Sequence, residues 1–297
     1  MKNKIQSHST RHAFTLIEIL VATVIMVIMV GLVIKITGDV LKVWNRASGK
    51  LSANAEARIA MDLITQDLET VVMRNNGQQW LRIEAPEDPG GYYTNQTVAL
   101  KLFAPALDRP KKDTSGNEIP GDICAIAYRL SFKESYPGGE NVYALYRYIA
   151  DPKYTFESLM GSTSDSSSPQ ESLTGGVWDE ANVTNDENYL AGNIVEFKVL
   201  LYEDDGVTPP TACNANSLME VTTDYAYGGL NGSTTPILYA DIILTIVSDE
   251  GLEIMKNIAD NRAGTGYTGS QAEQTEAVVR EYGDIFTRRV NFMAHPL

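Results

Sequence analysis

The sequence predicts an α+β chain: one long N-terminal helix, apolar in its first half and amphipathic in its second, packed on an antiparallel β-sheet domain. Three observations carry that expectation. Phe14 to Ile34 is a run of 21 residues containing one charge, Glu18. No strong breaker then interrupts the chain until about Asn75, and after Trp44 the apolar residues recur at helical spacing. Beyond Gly77 they gather in short β-branched and aromatic runs bounded by Gly, Pro, Asp and Asn clusters.

Composition narrows the function before any motif does. The 297 residues, 43% hydrophobic and 21% charged, have an ordinary globular balance with ample material for a core. With 38 acidic against 24 basic side chains the formal net charge is −14, and no nucleic-acid partner is expected, because phosphate binding needs clustered Lys and Arg. Of the three histidines, His8 and His12 lie in the first twelve residues and only His295 remains for the rest, beside two cysteines. A His/Cys zinc site or a His-based triad is therefore nearly unavailable. No GxGxxG, GxxxxGK[ST], GxSxG or HExxH is present, so no enzyme activity is expected.

Residues 1–13 (MKNKIQSHSTRHA) are polar, with Lys2, Lys4 and Arg11 and no acid. Residues 14–36 read as a transmembrane helix: at ~1.5 Å per residue the apolar run spans roughly 31 Å, about a bilayer core. A secretory signal would have a shorter apolar region with its small-residue cleavage site behind it, whereas here the small residue Ala13 precedes the run. Glu18 is the anomaly. A carboxylate in a membrane segment is a functional feature by default, although one so near the end could also snorkel to the interface. Residues 37–76 read as the amphipathic continuation of the same helix. Leu51, Ala55, Ile59 and Leu63 form its expected core stripe, followed by Ile64, Leu68 and Val71 or Val72, and Asn75-Asn76-Gly77 is its stop.

The stretch AFTLIEILVAT resembles the type III signal of type IV prepilins and type II secretion pseudopilins, with its short basic leader, cleavage before Phe and Glu at the fifth mature position. The resemblance implies processing by a prepilin peptidase between Ala13 and Phe14, N-methylation of Phe14, and a requirement for Glu18 in assembly. Glu18 would then meet the new α-amine of Phe14, its own or a neighbouring subunit's. Ala13 stands where that family mostly has Gly. The resemblance also implies a pilin-like fold, other pilin or pseudopilin subunits as partners, and single-pass anchoring in the inner membrane with the C-terminal domain in the periplasm or outside the cell.

Residues 77–297 read as the extracytoplasmic β-rich domain. Expected strands are Trp80–Glu84, Thr97–Phe103, Ile123–Lys133, Val142–Ile149, Asn193–Glu203, Ile237–Val247 and Ile285–Met293, with a short helix over Gln271–Glu281. Alternation in AIAYRLSF suggests an antiparallel sheet. Two loop-like insertions, about 161–188 and 204–235, exceed the length at which structureless loops are common. RIAMDLITQDLE, CAIAYRL, YALYRY and RRVNF resemble the J class of minor pseudopilins and the related cassette proteins of verrucomicrobial genomes, though both insertions are larger than that class usually carries.

Two side issues stay open in the sequence. Asp204 and Asp205 are weak candidates for a calcium site: several pseudopilins bind calcium, but the spacing fits no EF-hand. Cys124 and Cys213 either form a disulfide outside the cytoplasm or stand as a core residue and a separate thiol. For function, a filament or pseudopilus subunit, minor by its size and insertions in contrast to a major pilin, competes with a surface receptor or enzyme that uses the helix only as a tether. A tether has no need of Glu18.

Overall fold

The computed structural model describes residues 15–73, 78–93, 97–106, 122–134, 138–160, 173–174, 176–204, 215–217, 220–221, 224–228, 232, 234–262, 264 and 266–292. The chain divides into two compact units, residues 1–48 and 49–297. Helix α1, Leu16–Glu69, begins in the first and ends in the second.

Within the first unit the apolar side chains of α1 are exposed all round, from Ile17 through Val24 and Ile28 to Ile34. An 18-residue window of the helix has a mean hydropathy of 2.9 and is 0% buried, so it is long and apolar enough to cross a membrane.

The second unit is built on antiparallel sheets, as its alternating strands require. β1 (Gln79–Glu87), β2 (Thr97–Pro105), β3 (Ile123–Glu134) and β4 (Asn141–Ile149) form a meander. A helical turn α2 (Pro152–Tyr154) and a short helix α3 (Glu180–Val183) follow, then β5 (Tyr189–Gly192) and β6 (Ile194–Glu203). The chain continues through β7 (Ala215–Ser217), β8 (Glu220–Val221), β9 (Tyr225–Gly228) and β10 (Ile237–Val247). It ends with α4 (Asp249–Ala259), α5 (Gln271–Tyr282) and β11 (Gly283–Asn291). One sheet has six strands in the order β5-β4-β3-β2-β1-β9, a second has three in the order β11-β10-β6, and β7-β8 is a small hairpin. The chain passes from the first sheet to the second at Asn193, whose φ of 61° turns it between β5 and β6.

One continuous core joins α1 to both sheets through Ile64, Leu68, Leu100, Ile126, Phe197 and Leu244. The helix presents the later part of the expected stripe, with Ile64 and Leu68 buried, but not its beginning. Leu51 is 71% and Ile59 57% exposed, and the buried face runs through Ala53, Ala57, Ala60, Met61, Ile64 and Leu68. At the start of this face the alanines let the helix lie close on the strands, where Leu51 and Ile59 would hold it off. The helix also stops earlier than Asn75. After Glu69 the N–H of Val72 donates to the carbonyl of Phe103 (2.8 Å), so the chain is already tied to β2.

The stretches read as insertions contribute to the fold. In the first, Leu173, Trp178 and Val183 are buried. They lie on the second face of the six-stranded sheet, where Trp178 meets Tyr148 edge-on at 6.0 Å and Glu180 accepts from the Ser131 hydroxyl at 2.9 Å. β2 is consequently buried on both faces. The second insertion supplies β9, which pairs antiparallel with β1 and closes that edge. Helix α4 was not visible as a helix in the sequence. Ser248 caps it, accepting from Gly251 N–H, and Met255 and Ile258 form a second core with Val247 and, from α5, Val278.

Candidate functional site

The site singled out by sequence is the start of α1. Ala13 and Phe14 lie outside the described residues. Thr15 is the helix cap and Glu18 lies three residues on, so Thr15-Leu16-Ile17-Glu18 has the spacing of a capping box. The geometry fulfils it. The backbone N–H and the hydroxyl of Thr15 each donate to Glu18 Oε2 at 2.8 Å. In return the Glu18 N–H reaches Thr15 Oγ1 at 3.3 Å and the Thr15 carbonyl at 3.1 Å. Sequence reasoning found Glu18 and missed Thr15, although the T-x-x-E signature was there. The carboxylate thus has two roles available at once, closing its own helix N-terminus and presenting a negative charge at the edge of an apolar rod. Both donors it receives from Thr15 are neutral.

At the other end of α1 a second carboxylate is handled differently. Asp67 is buried and accepts from Arg147 Nε at 2.9 Å and Nη2 at 3.0 Å, two parallel bonds from β4. The hydroxyl of Tyr128 on β3 donates to the same carboxylate at 2.5 Å. Burial, then the adjacent Asp67 charge, pushes the Tyr128 hydroxyl well above its ordinary range, so it stays a donor. This charge-assisted cluster fixes the rotation and register of α1 on the sheet. Nothing in the sequence distinguished Asp67 from the solvated acids around it. Contacts nearer the surface add to the attachment: Lys50 with Asp284 at 3.1 Å, Arg288 with Asp62, and Glu56 accepting the Gly192 N–H at 2.9 Å.

The remaining sequence candidates are not brought together. Asp204 is exposed and its N–H donates to the Pro236 carbonyl at 2.8 Å, while Asp205 lies outside the described residues. Among the described residues no group of three or more His, Cys, Asp and Glu side chains is arranged to hold a metal ion. Cys124 is buried on β3, and Cys213 lies outside the described residues.

Comparison with known families identifies one match, the prokaryotic N-terminal methylation motif, over residues 8–34. It spans the junction before Phe14, Thr15, Glu18 and the apolar run to Ile34. No curated protein and no solved structure matches the chain.

Proposed function

We propose that this chain, which carries the N-terminal methylation motif of type IV pilin-like proteins, is a minor pseudopilin or minor pilin subunit with no catalysis of its own, closest in character to the J class. The motif implies a pilin-like protein processed by prepilin peptidase, and together with the apolar helix it is consistent with single-pass anchoring in the inner membrane. On the proposed reading, cleavage before Phe14 exposes an amine that is then methylated. The C-terminal domain faces the periplasm or the cell exterior, and α1 packs among the helices of other pilin-like subunits.

The observation that carries the reading is a carboxylate placed where a pure membrane tether would have none. Glu18 is the single charge between Phe14 and Ile34, inside the matched motif, and its in-chain donors from Thr15 leave its charge to be neutralised from elsewhere. An amine on a neighbouring subunit supplies that charge and sets the axial register between rods. Mass spectrometry of the protein purified from cells with an active prepilin peptidase tests the first step. The expected N-terminus is methylated Phe14; a retained Met1, or a cut beyond Ile34, refutes the proposal.

A further inference from the structure

Away from α1's membrane segment, a cleft of about 550 Å³ opens between the start of β4 and helix α4. It is the size of a small-molecule or short-oligomer site, and the filament reading does not use it. Its floor is aromatic. Tyr92 meets Phe132 edge-on with centroids 5.0 Å apart, and Phe132 packs on Tyr143 at 4.6 Å. These rings are held in place. The Tyr93 N–H donates to the Tyr143 hydroxyl at 2.7 Å, and Phe132 N–H to the Pro89 carbonyl at 2.9 Å. Gly91, at φ +90°, brings the backbone so close that a Cβ there would lie 2.5 Å from the Tyr143 hydroxyl and 2.7 Å from the Phe132 ring.

The walls are polar, and several of their side chains are hydrogen-bonded to one another. Lys256 donates to Glu140 at 2.7 Å, joining α4 to the residue just before β4. Asn193 Nδ2 donates to Asp249 Oδ1 at 2.7 Å, and Arg262 donates to Asn257 Oδ1 at 3.0 Å. Asn141 completes a set of three asparagine amides on the lining, each carrying both donors and an acceptor. A strongly charged ligand would have to break these pairs, and a purely apolar one would strand them. A ligand with one apolar face and a rim of groups that both donate and accept satisfies floor and walls together. That is the chemistry of a sugar ring, whose C–H face stacks on aromatics and whose hydroxyls bond amides and carboxylates.

We infer that this cleft binds a neutral oligosaccharide. The partly exposed rings of Tyr92 and Phe132, backed by the buried Tyr143, take the ring face, and the asparagines with Glu140 and Asp249 take the hydroxyls. This activity is independent of filament assembly.

The test uses the detergent-solubilised full chain and five probes: malto-, cello-, xylo-, manno- and chito-tetraose. Saturation-transfer difference NMR and calorimetric titration to 20 mM are read for each. At least one probe is expected to bind, with transfer strongest to its ring C–H protons. Tyr92→Ala should weaken that binding by about tenfold, as loss of an aromatic contact does. Glu253→Trp, a change at an exposed position of α4 on the cleft wall, should block it while the far-UV circular dichroism and thermal midpoint stay unchanged. Absence of binding by all five sugars overturns the inference, as does binding that both variants leave intact. Binding of a tetralysine peptide in place of sugars overturns it in favour of an acidic protein-docking cleft. Methylation at Phe14 and incorporation with other subunits should be unchanged in Glu253→Trp, so loss of sugar binding does not touch the filament reading.

Discussion

Truncating Asp67 to Ala removes from the core the acceptor of two guanidinium hydrogen bonds and one phenol hydrogen bond, and leaves the Arg147 charge where only 2% of its surface reaches solvent. Breaking one side of a buried pair costs about 3–5 kcal/mol, because the charge left behind keeps its desolvation penalty and loses its attraction. That is a large share of the ~5–15 kcal/mol by which ordinary domains are stable. The cost falls on a defined place, the seam between α1 and the β3–β4 strands. Urea unfolding of the detergent-solubilised full chain, followed by tyrosine and tryptophan fluorescence, reads it as a shift in midpoint at constant slope. Arg147→Met alone should lose a comparable amount. The double change Asp67→Leu with Arg147→Met should recover much of the loss, since apolar side chains of similar volume remove both charges together. A single Asp67→Ala loss below about 1 kcal/mol, or a double variant as unstable as the summed singles, refutes the assignment of this cluster as a coupled buried pair.

The same unfolding assay checks the rest. Ala57→Leu, on the fully buried face of α1, should destabilise by about 1–3 kcal/mol through overpacking. Ile59→Ala, on the exposed stripe, should stay within about 0.5 kcal/mol, and the reverse ranking would restore the stripe expected from sequence. At high pH, burial raises the Tyr143 hydroxyl to about 12. A group whose folded pKa is raised contributes stability that is complete below its unfolded value near 10 and lost as pH climbs toward about 12, so Tyr143→Phe should flatten the alkaline loss between those values. At low pH, burial works against the Glu84 carboxylate, but Lys101 at 2.6 Å and Arg82 at 2.8 Å outweigh it and hold its pKa below the ordinary range. Its stabilisation is therefore present above about pH 4.5 and is lost on further acidification, and Glu84→Gln should reduce that part of the acid slope.

The parts of the fold legible in the sequence are those with a two-sided physical signature. The runs at Thr97, Ile123, Val142 and Ile237 became strands because β-branched and aromatic residues between turn clusters have few other solutions. The rod from Phe14 was legible because 21 nearly uncharged residues suit only lipid or a deep core. What stayed hidden depends on partners distant in sequence. Asp67 reads like Asp62 or Glu69 until Arg147, eighty residues away, is brought beneath it. Trp178 lies in a Ser, Thr and Asp-rich stretch whose composition signals solvent, while the second face of β2 needed a cover. Helix α4 was lost in the polar opening Ser248-Asp249-Glu250-Gly251, which is a capped helix start but also reads as a turn. Thr15 is different, since its signal, the T-x-x-E spacing to Glu18, is local.

α1 therefore carries one carboxylate in the core, Asp67, and one in its apolar run, Glu18, and treats them oppositely. Asp67 meets a full cation within the chain, whereas Glu18 receives from Thr15 only neutral donors. The proposed assembly contact depends on that difference, and one substitution separates its two components. Glu18→Gln retains an acceptor oxygen for the Thr15 N–H and hydroxyl but removes the charge. Glu18→Ala removes both. If the cap alone matters, Gln should restore incorporation that Ala abolishes. If a neighbour's amine is the true partner, Gln should fail as completely as Ala, because a neutral amide cannot neutralise an ammonium in a low-dielectric setting. Thr15→Val, which removes the hydroxyl but keeps the backbone N–H, should then weaken incorporation only partially. Alkaline carbonate extraction should find every variant still in the membrane, and crosslinking to co-expressed pilin-like subunits should report incorporation. Gln behaving like the unaltered chain would remove charge neutralisation from the account and leave Glu18 as a helix cap.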